Sequence, residues 1–158
     1  RTRNVDDVAV VKEMTPEDSV RCRKENVRLV LFVEAQAMGF MHPSDIVIIM
    51  GNALDNAIEA VRQLPEEQRQ VLVRITSTEH WLSMHFENPC EGQVTLKEGL
   101  PVTSKAEKEF HGYGLKSIKK SVERYEGDLQ VDLEDACFKL NILIPVPQDG
   151  SGQEAASA

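Results

Sequence analysis

The amino-acid sequence predicts an α+β fold, a two-layer α/β sandwich in which helices cover one face of a mixed, mostly antiparallel β-sheet. Two observations carry this prediction. Several segments alternate apolar and polar residues with the period of a half-buried strand, and others repeat apolar residues with the period of a helix. Most of the strand-like segments follow one another directly along the chain, which favours antiparallel neighbours.

The elements can be assigned in order along the chain. A short helix is expected from Pro16 to about Asn26, with proline at its start. A longer helix opens at Pro43, Ser44 and Asp45 and ends before Pro65, and another runs from about Gly114 to Tyr125. The predicted strands are VRLVLFVE (27–34), QVLVRITST (70–78), HWLSMHFEN (80–88), GDLQVDLE (127–134) and ACFKLNILIP (136–145).

The remaining segments divide the chain into one domain and its flanks. Residues 1–15 have no clear period and are interpreted as the remnant of an upstream linker or helical region, and residues 148–158 as a flexible tail. Residues 16–147 then form the single domain. Within it, residues 89–111 have no period and are too long for an ordinary connection, so a mobile lid or disorder is expected there.

Composition excludes several classes of protein. The chain has 158 residues and a net charge of -8, so it has no basic excess to neutralise nucleic-acid phosphates. No apolar run approaches the roughly 20 residues that span a bilayer, and a soluble, cytoplasmic domain is expected. Cys22, Cys90 and Cys137 are odd in number and widely spaced, which argues against both a disulfide framework and a zinc site.

The stretch GNALDNAIEA (51–60) carries an unusual polar stripe. At 100° per residue, Asn52, Asn56, Glu59 and Gln63 fall within about 60° of one another on the helix, opposite an apolar face. Asparagine is a mediocre helix former, so two on one stripe indicate a specific role. Hydrogen bonding to a neighbouring loop and contact with a ligand both explain the stripe, and the segment alone leaves both open.

Two further stretches have possible ligand chemistry. In HGYGLKSIKK (111–120), Gly112 and Gly114 bracket Tyr113 at the start of the helix predicted from about Gly114 to Tyr125. Backbone N–H groups at this position would suit a phosphate. A structural turn explains the same glycines. In FENPCEG (86–92), Asn88 and Gly92 leave a strand and enter the long loop, which by itself fits any turn.

Taken in order, these stretches resemble the N box, first glycine box, ATP lid and second glycine box of the GHKL ATPase superfamily, which has the Bergerat fold. The resemblance covers roughly residues 25–146. It is closest to the catalytic ATP-binding domain of sensor histidine kinases, in the quorum-sensing branch typified by the accessory gene regulator kinase. Two features indicate that branch: the sequence motif NxLDNAxEA, and asparagine at position 88 where most of the superfamily has aspartate.

The resemblance implies that ATP and Mg²⁺ are the cofactors. Asn56 would be the magnesium ligand, with Asn52 beside it, because Mg²⁺ takes few protein ligands when phosphates supply the rest. Asn88 would contact adenine, and it retains the acceptor oxygen that aspartate offers. Glu59 faces the same cavity, where bridging through water is more plausible than direct contact with a triphosphate.

The other contacts implied by the resemblance surround the phosphates and the base. Gly92 would let the backbone pass close to the base. Lys105 would reach the nucleotide from the lid, and His111 would touch phosphate or cap the lid. The glycine-box residues that would wrap the phosphates are Gly112, Tyr113, Gly114 and Leu115.

The residue at position 52 favours transfer of the phosphoryl group over its hydrolysis. Hydrolytic members of the superfamily have a water-activating glutamate there, and the Asn52 amide cannot accept a proton. None of His42, His80, His85 and His111 lies in a helical acidic context suited to a phosphoacceptor.

The expected partners are therefore an upstream dimerisation and phosphoacceptor domain, which would carry the acceptor histidine, and a downstream response regulator. The full-length protein is expected to be membrane-anchored and homodimeric, with this domain in the cytoplasm. A serine kinase of the anti-sigma-factor type and a degenerate, non-enzymatic interaction domain are the alternatives. The sequence does not identify the sensed signal.

Overall fold

The computed structural model describes residues 2–3, 22–35, 38–90, 95–97, 100–102 and 105–148. Its strands are β1 Thr2–Arg3, β2 Arg28–Glu34, β3 Gln70–Ser77, β4 Trp81–Pro89, β5 Thr95–Lys97, β6 Leu100–Val102, β7 Asp128–Glu134 and β8 Cys137–Pro145. Its long helices are α1 Pro43–Val61 and α2 Lys105–Glu123. The five predicted strands are confirmed to within a residue at each end. Of the predicted helix at 16–26, residues 22–24 are helical and residues 16–21 lie outside the described residues.

The strands form one large sheet and one small one. The large sheet has the order β1-β2-β3-β4-β8-β7, and β5 pairs with β6 separately. All neighbours in the large sheet are antiparallel except β2 and β3, which run parallel in a register that starts at Arg28 and Gln70. A parallel pair needs a long crossover, and α1 supplies it. The predicted mixed, mostly antiparallel sheet is therefore confirmed.

The core lies between the sheet and the two helices. Alternate residues of β4, including Leu82, Met84 and Phe86, are buried, whereas the intervening residues are more accessible. The same alternation runs along β3 and β8, as expected when only one face of a sheet is covered. The helices therefore cover one face, and in the described part of the chain no helix is long and apolar enough to cross a membrane.

The boundaries of α1 follow from capping chemistry. Its N-cap residue is His42, whose Nδ1 accepts a hydrogen bond from the backbone N–H of Ser44 at 3.1 Å, and Pro43 starts the helix. At its other end Arg62 N–H donates to the carbonyl of Ile58 at 3.0 Å. The buried residues of α1 are Asp45, Ile46, Ile49, Met50, Ala53, Leu54, Ala57, Ile58 and Val61. The predicted amphipathic helix is confirmed.

The start of α2 differs from the prediction. The helix begins at Lys105 and not at about Gly114, so the two glycines of the HGYG segment lie within it. Lysine, alanine and glutamate dominate residues 105–109 and are good helix formers, which accounts for the longer helix. The expectation that residues 89–111 lack regular structure is wrong in part, because they contain the end of β4, the β5–β6 hairpin and the first turns of α2. Residues 91–94, 98–99 and 103–104 lie outside the described residues.

The end of α2 is closed by a Schellman motif. The N–H of Glu126 donates to the carbonyl of Glu123 at 3.0 Å, and the N–H of Gly127 donates to that of Val122 at 3.1 Å. Glu126 has a φ of 58°, the left-handed conformation that this motif requires. Gly127, which directly precedes β7, is closely surrounded by other atoms. A Cβ atom there would lie 2.8 Å from Ile144 Cγ1, 2.8 Å from Val122 Cγ1 and 2.9 Å from the carbonyl oxygen of Leu143.

Gly127→Ala should therefore destabilise the fold. The added methyl group overlaps two core side chains and a backbone carbonyl, so we expect the free energy of unfolding to fall by about 1–3 kcal/mol. Gly51→Ala is the matched control, because a Cβ on Gly51 meets nothing within 4 Å and the helix gains about 1 kcal/mol from alanine. Urea unfolding measures both variants. Equal stability of the parent and Gly127→Ala would contradict the packing described at this turn.

The other face of the sheet carries polar residues at its edge. In β7 the side chains of Leu129, Val131 and Leu133 alternate with Asp128, Gln130, Asp132 and Glu134, and Val131 is buried. The acidic and amide side chains therefore project from the uncovered face. The paired strand β8 supplies one partner, since Lys139 Nζ lies 3.7 Å from Glu134 Oε2.

Candidate nucleotide-binding site

The two long helices pack against each other and run in opposite directions. Near one end of the pair, Asp45 of α1 contacts Arg124, which follows the last residue of α2. In the middle of α1, Asn52 and Asn56 lie opposite Gly114 of α2. The packing thus brings the predicted asparagine stripe onto the predicted glycine segment.

Gly114 lies directly against both asparagine side chains. A Cβ atom on Gly114 would lie 3.4 Å from Asn52 Oδ1, 3.5 Å from Asn56 Oδ1 and 3.7 Å from Asn56 Nδ2. Any larger side chain at this position would project into the same space. Glycine therefore lets the α2 backbone lie close to both amide oxygens, which are neutral groups that can bind a metal ion or accept a hydrogen bond.

The two amides are held differently. Asn52 Nδ2 donates a hydrogen bond of 2.8 Å to the carbonyl of Ile48, one turn earlier, so its own helix satisfies that donor. Asn56 Nδ2 is buried and, among the described residues, has no hydrogen-bond partner. An unsatisfied buried donor costs about 1–3 kcal/mol. A ligand with acceptor oxygens would remove that cost.

These residues fit a magnesium ion bound together with phosphate groups. Mg²⁺ prefers oxygen ligands and commonly takes one or two from the protein, with phosphates and water completing its shell. The side-chain oxygens of Asn56 and Asn52 are possible magnesium ligands of that kind. The phosphate oxygens would in turn accept the hydrogen bond that Asn56 Nδ2 lacks.

Glu59 continues the stripe, and its charge is compensated. Its Oε2 lies 2.9 Å from Nε of Arg62, and the two side chains are 19% and 46% exposed, respectively. The ion pair reduces the repulsion that a carboxylate would exert on a nearby phosphate. It also leaves Glu59 a poor candidate for a general base.

Asn88 lies on the helix-covered face of the sheet, near the end of β4. Its side chain is buried, and Nδ2 donates to the carbonyl of Pro89 at 2.9 Å. That bond fixes the amide and uses a donor, so the oxygen remains the group with which Asn88 would accept a hydrogen bond from an adenine amine. Just beyond, the N–H of Cys90 donates to the carbonyl of Ala136 at 2.9 Å, which extends the β4–β8 pairing past Asn88.

Asn88→Leu is expected to weaken adenine nucleotide binding. Leucine has a similar size but offers no acceptor, so the exocyclic amine of the base would lose its partner. The expected cost is about 1–3 kcal/mol, roughly fivefold to more than a hundredfold in affinity. Asn88→Asp is the matched control, because it keeps the acceptor and should bind ATP at least as well as the parent. Isothermal titration with ATP measures both. If the leucine variant binds as well as the parent, adenine lies elsewhere.

The sheet face behind Asn88 contains a second polar cluster. His85 Nε2 lies 2.9 Å from Glu87 Oε1, and His85 Nδ1 lies 2.6 Å from Asn141 Oδ1. The hydrogen bond from His85 lowers the pKa of Glu87. Burial and the neighbouring Glu87 carboxylate raise the pKa of Cys137 to about 11, and burial raises the pKa of Cys90. Both thiols therefore stay protonated near neutral pH and are poor nucleophiles.

For the other residues predicted to contact the nucleotide, the structure gives less information. The Leu115 side chain is buried in the core, so only its backbone could face a phosphate. Lys105, His111, Gly112 and Tyr113 belong to the α2 backbone, and the side chains of this part of the helix lie outside the described residues. Gly92 also lies outside them. The structure thus brings Asn52, Asn56 and Gly114 together and places Asn88 at the end of the neighbouring β4.

One buried charged group was missed by the sequence reasoning. Asp45 was predicted only as part of the start of α1, yet the residue is 4% exposed and its carboxylate contacts both Arg124 and Tyr125. An aspartate in the first turn of a helix is common because its negative charge interacts favourably with the helix dipole. No local spacing indicates a partner about eighty residues away.

Comparisons with known proteins agree on the fold. A family model described as the GHKL domain matches residues 41–145. The catalytic domain of the histidine kinase ThkA, in a nucleotide-free form, superposes with a TM-score of 0.61 at 17% identity, over 94% of this chain and 98% of that one. The Acinetobacter baumannii histidine kinase AdeS gives 0.64 at 14% identity, over 94% and 68%. A search of curated proteins finds no match.

The mixed sheet with two helices on one face defines a class of α+β two-layer domains, and here asparagine amides of one helix face a glycine of the other. Within that class, the match over residues 41–145 identifies the family. The chain belongs to the GHKL family, and its fold is that of histidine kinase catalytic domains.

Proposed function

We propose that this chain is the ATP-binding catalytic domain of a two-component sensor histidine kinase. It transfers the γ-phosphate of ATP to a histidine on the upstream dimerisation and phosphoacceptor domain of the same protein. The observation that carries the proposal is the buried Nδ2 of Asn56, which has no hydrogen-bond partner among the described residues and faces Gly114 of the other helix. The likeness of the fold to the ThkA and AdeS structures supports it.

The proposed transfer requires no covalent bond between the phosphoryl group and a residue of this domain. The bond between the γ-phosphorus and the bridging oxygen of ATP breaks, ADP leaves, and a new bond forms to the unprotonated ring nitrogen of the acceptor histidine, whose other ring nitrogen releases its proton to water. Catalysis of such a transfer depends on positioning and charge neutralisation. Mg²⁺, when bound, would neutralise phosphate charge, and Asn56 would hold it with assistance from Asn52.

The same residues disfavour hydrolysis of ATP. A hydrolytic site needs a group that accepts a proton from the attacking water, and the Asn52 amide cannot do so. Glu59, the carboxylate on the same stripe, is paired with Arg62. The described part of the site is therefore suited to holding ATP until an acceptor arrives.

The proposal extends to the whole protein. We place this kinase in the accessory gene regulator branch because of its NALDNAIEA motif and Asn88. The complete protein would be a membrane-anchored homodimer with this domain in the cytoplasm, and a response regulator would receive the phosphate. Nucleic acid is not an expected partner, because the net charge of -8 repels its phosphates.

A titration tests the proposal directly. The chain is titrated with ATP by calorimetry, once with Mg²⁺ and once with a chelator, and GTP serves as the control nucleotide. We expect ATP to bind, to bind more tightly with Mg²⁺, and to be preferred over GTP because Asn88 accepts from the adenine amine. Absence of ATP binding in both conditions would support the non-enzymatic interaction domain instead.

A further inference from the structure

A network of charged and polar groups joins the start of α1 to the end of α2. The carboxylate of Asp45 accepts two hydrogen bonds of 2.6 Å, one from Arg124 Nη1 to Oδ1 and one from the Tyr125 hydroxyl to Oδ2. The Tyr125 oxygen accepts a bond of 2.8 Å from the backbone N–H of His42. We call Asp45, Arg124, Tyr125 and His42 the helix clamp.

The helix clamp is rigid for physical reasons. Asp45 is 4% exposed, and a buried carboxylate is tolerated only when it is well paired. The Tyr125 ring packs edge-to-face on Phe40, with centroids 6.0 Å apart and planes at 79°. Burial and Asp45 raise the pKa of Tyr125, so its hydroxyl remains a donor.

The helix clamp restricts a movement that apolar packing permits. Apart from Gly114 and Ser121, the buried residues of the described part of α2 are apolar, and so are those of α1 beyond Asp45. Apolar contacts are not directional, so they resist separation of two helices better than they resist sliding. Short hydrogen bonds at a defined point fix the register along the helix axes.

The register of the helices determines the geometry of the site. Asp45 precedes Asn52 by two helical turns, about 10 Å along α1. The hydrogen bonds at Asp45 therefore set where Gly114 lies relative to the two amides, with which a Gly114 Cβ would be in van der Waals contact. A slip of about 1 Å is enough to misplace a bound phosphate.

We infer that Asp45, held by Arg124 and Tyr125, is a positioning residue that sets the axial register of α2 on α1, and so the placement of Gly114 relative to Asn52 and Asn56, which would hold Mg²⁺ and the phosphates. The inference rests on the proposed function. It requires that loss of the clamp weakens binding of the phosphates and spares binding of the base, because Asn88 lies on the sheet and not between the helices.

The test compares Mg-ATP and adenosine. Tyr125→Phe removes one hydroxyl and keeps the ring on Phe40, and we expect it to weaken Mg-ATP binding about tenfold while adenosine affinity, measured by NMR titration, changes less than about twofold. Arg124→Ala should act in the same direction. Arg124→Lys keeps a cationic donor for Asp45 and should restore most of the affinity. Because the Arg124 side chain is 52% exposed, its variants test the inference even if Tyr125→Phe fails to fold.

Val27→Ala is the matched control for stability. Val27 is buried just before β2 and makes none of the helix clamp contacts, so its truncation should lower the melting temperature without changing Mg-ATP affinity. If the clamp variants lower the melting temperature but bind Mg-ATP like the parent, the network is only structural and the inference is overturned. Equal loss of Mg-ATP and adenosine affinity overturns it too. Failure of the parent to bind Mg-ATP would instead refute the proposed function.

Discussion

Asn56→Ala is expected to weaken Mg-ATP binding strongly and at the same time to stabilise the ligand-free chain. The amide offers both an oxygen for Mg²⁺ and a donor for phosphate, and losing hydrogen bonds to charged groups costs about 1.5–3 kcal/mol each, roughly tenfold to more than a hundredfold in affinity. Without ligand the effect has the opposite sign. Alanine removes a buried donor that has no partner among the described residues and raises helix propensity.

Calorimetry and urea unfolding together check this pair of effects. Val47→Ala is the control on the same helix, because Val47 is 37% exposed and lies outside the asparagine stripe. It should leave Mg-ATP affinity unchanged. An Asn56→Ala variant that binds Mg-ATP like the parent would remove Asn56 from the site. A large loss of stability would show that the amide has a structural partner.

Phosphoryl transfer should require an added acceptor. The chain alone is expected to incorporate no phosphate and to hydrolyse little ATP, because Asn52 cannot serve as a base. Two of its histidines are engaged in the structure, His42 in capping α1 and His85 between Glu87 and Asn141. Adding the upstream helical domain at high concentration should give slow labelling, since tethering contributes mainly effective concentration.

The chemical stability of the labelled product identifies the acceptor. Phosphohistidine is labile in acid and stable in base, so labelling from radioactive ATP should show that pattern and disappear in Asn56→Ala but not in Val47→Ala. A product stable in acid would be phosphoserine or phosphothreonine, and the serine-kinase alternative would replace the proposal. Rapid turnover of ATP without an acceptor would indicate a hydrolytic member of the family.

Local patterns were sufficient for most of the fold. Strands such as β4 alternate so regularly that their ends could be predicted closely, and the predicted stripe of Asn52 and Asn56 lies opposite Gly114 of α2. The start of α2 could not be predicted, because Gly112 and Gly114 looked like a helix boundary, whereas the good helix formers from Lys105 onward continue the helix through them.

Features that depend on distant residues could not be predicted from the sequence. A mixed sheet was predicted, but the pairing of β2 with β3 as its parallel strands was not, because it arises from the crossover through α1 and either strand read alone fits both directions. Likewise, the contact of Asp45 with Tyr125 joins two helix ends far apart in the sequence. The assignments of Asn52, Asn56 and Asn88 to a nucleotide and of Asn56 to Mg²⁺ remain predictions, which the titrations above can test.

The acidic residues of β7 have a consequence for self-association. β7 is the last strand of the large sheet, and an edge strand offers unpaired backbone groups to any other chain. Asp128, Asp132 and Glu134 on its uncovered face would meet their own copies if two such edges approached, and like charges repel. The same carboxylates would attract a basic strand, so this edge discriminates between partners by charge. In the homodimeric kinase that we propose, such an edge would keep two catalytic domains from joining sheet to sheet beside their upstream helices.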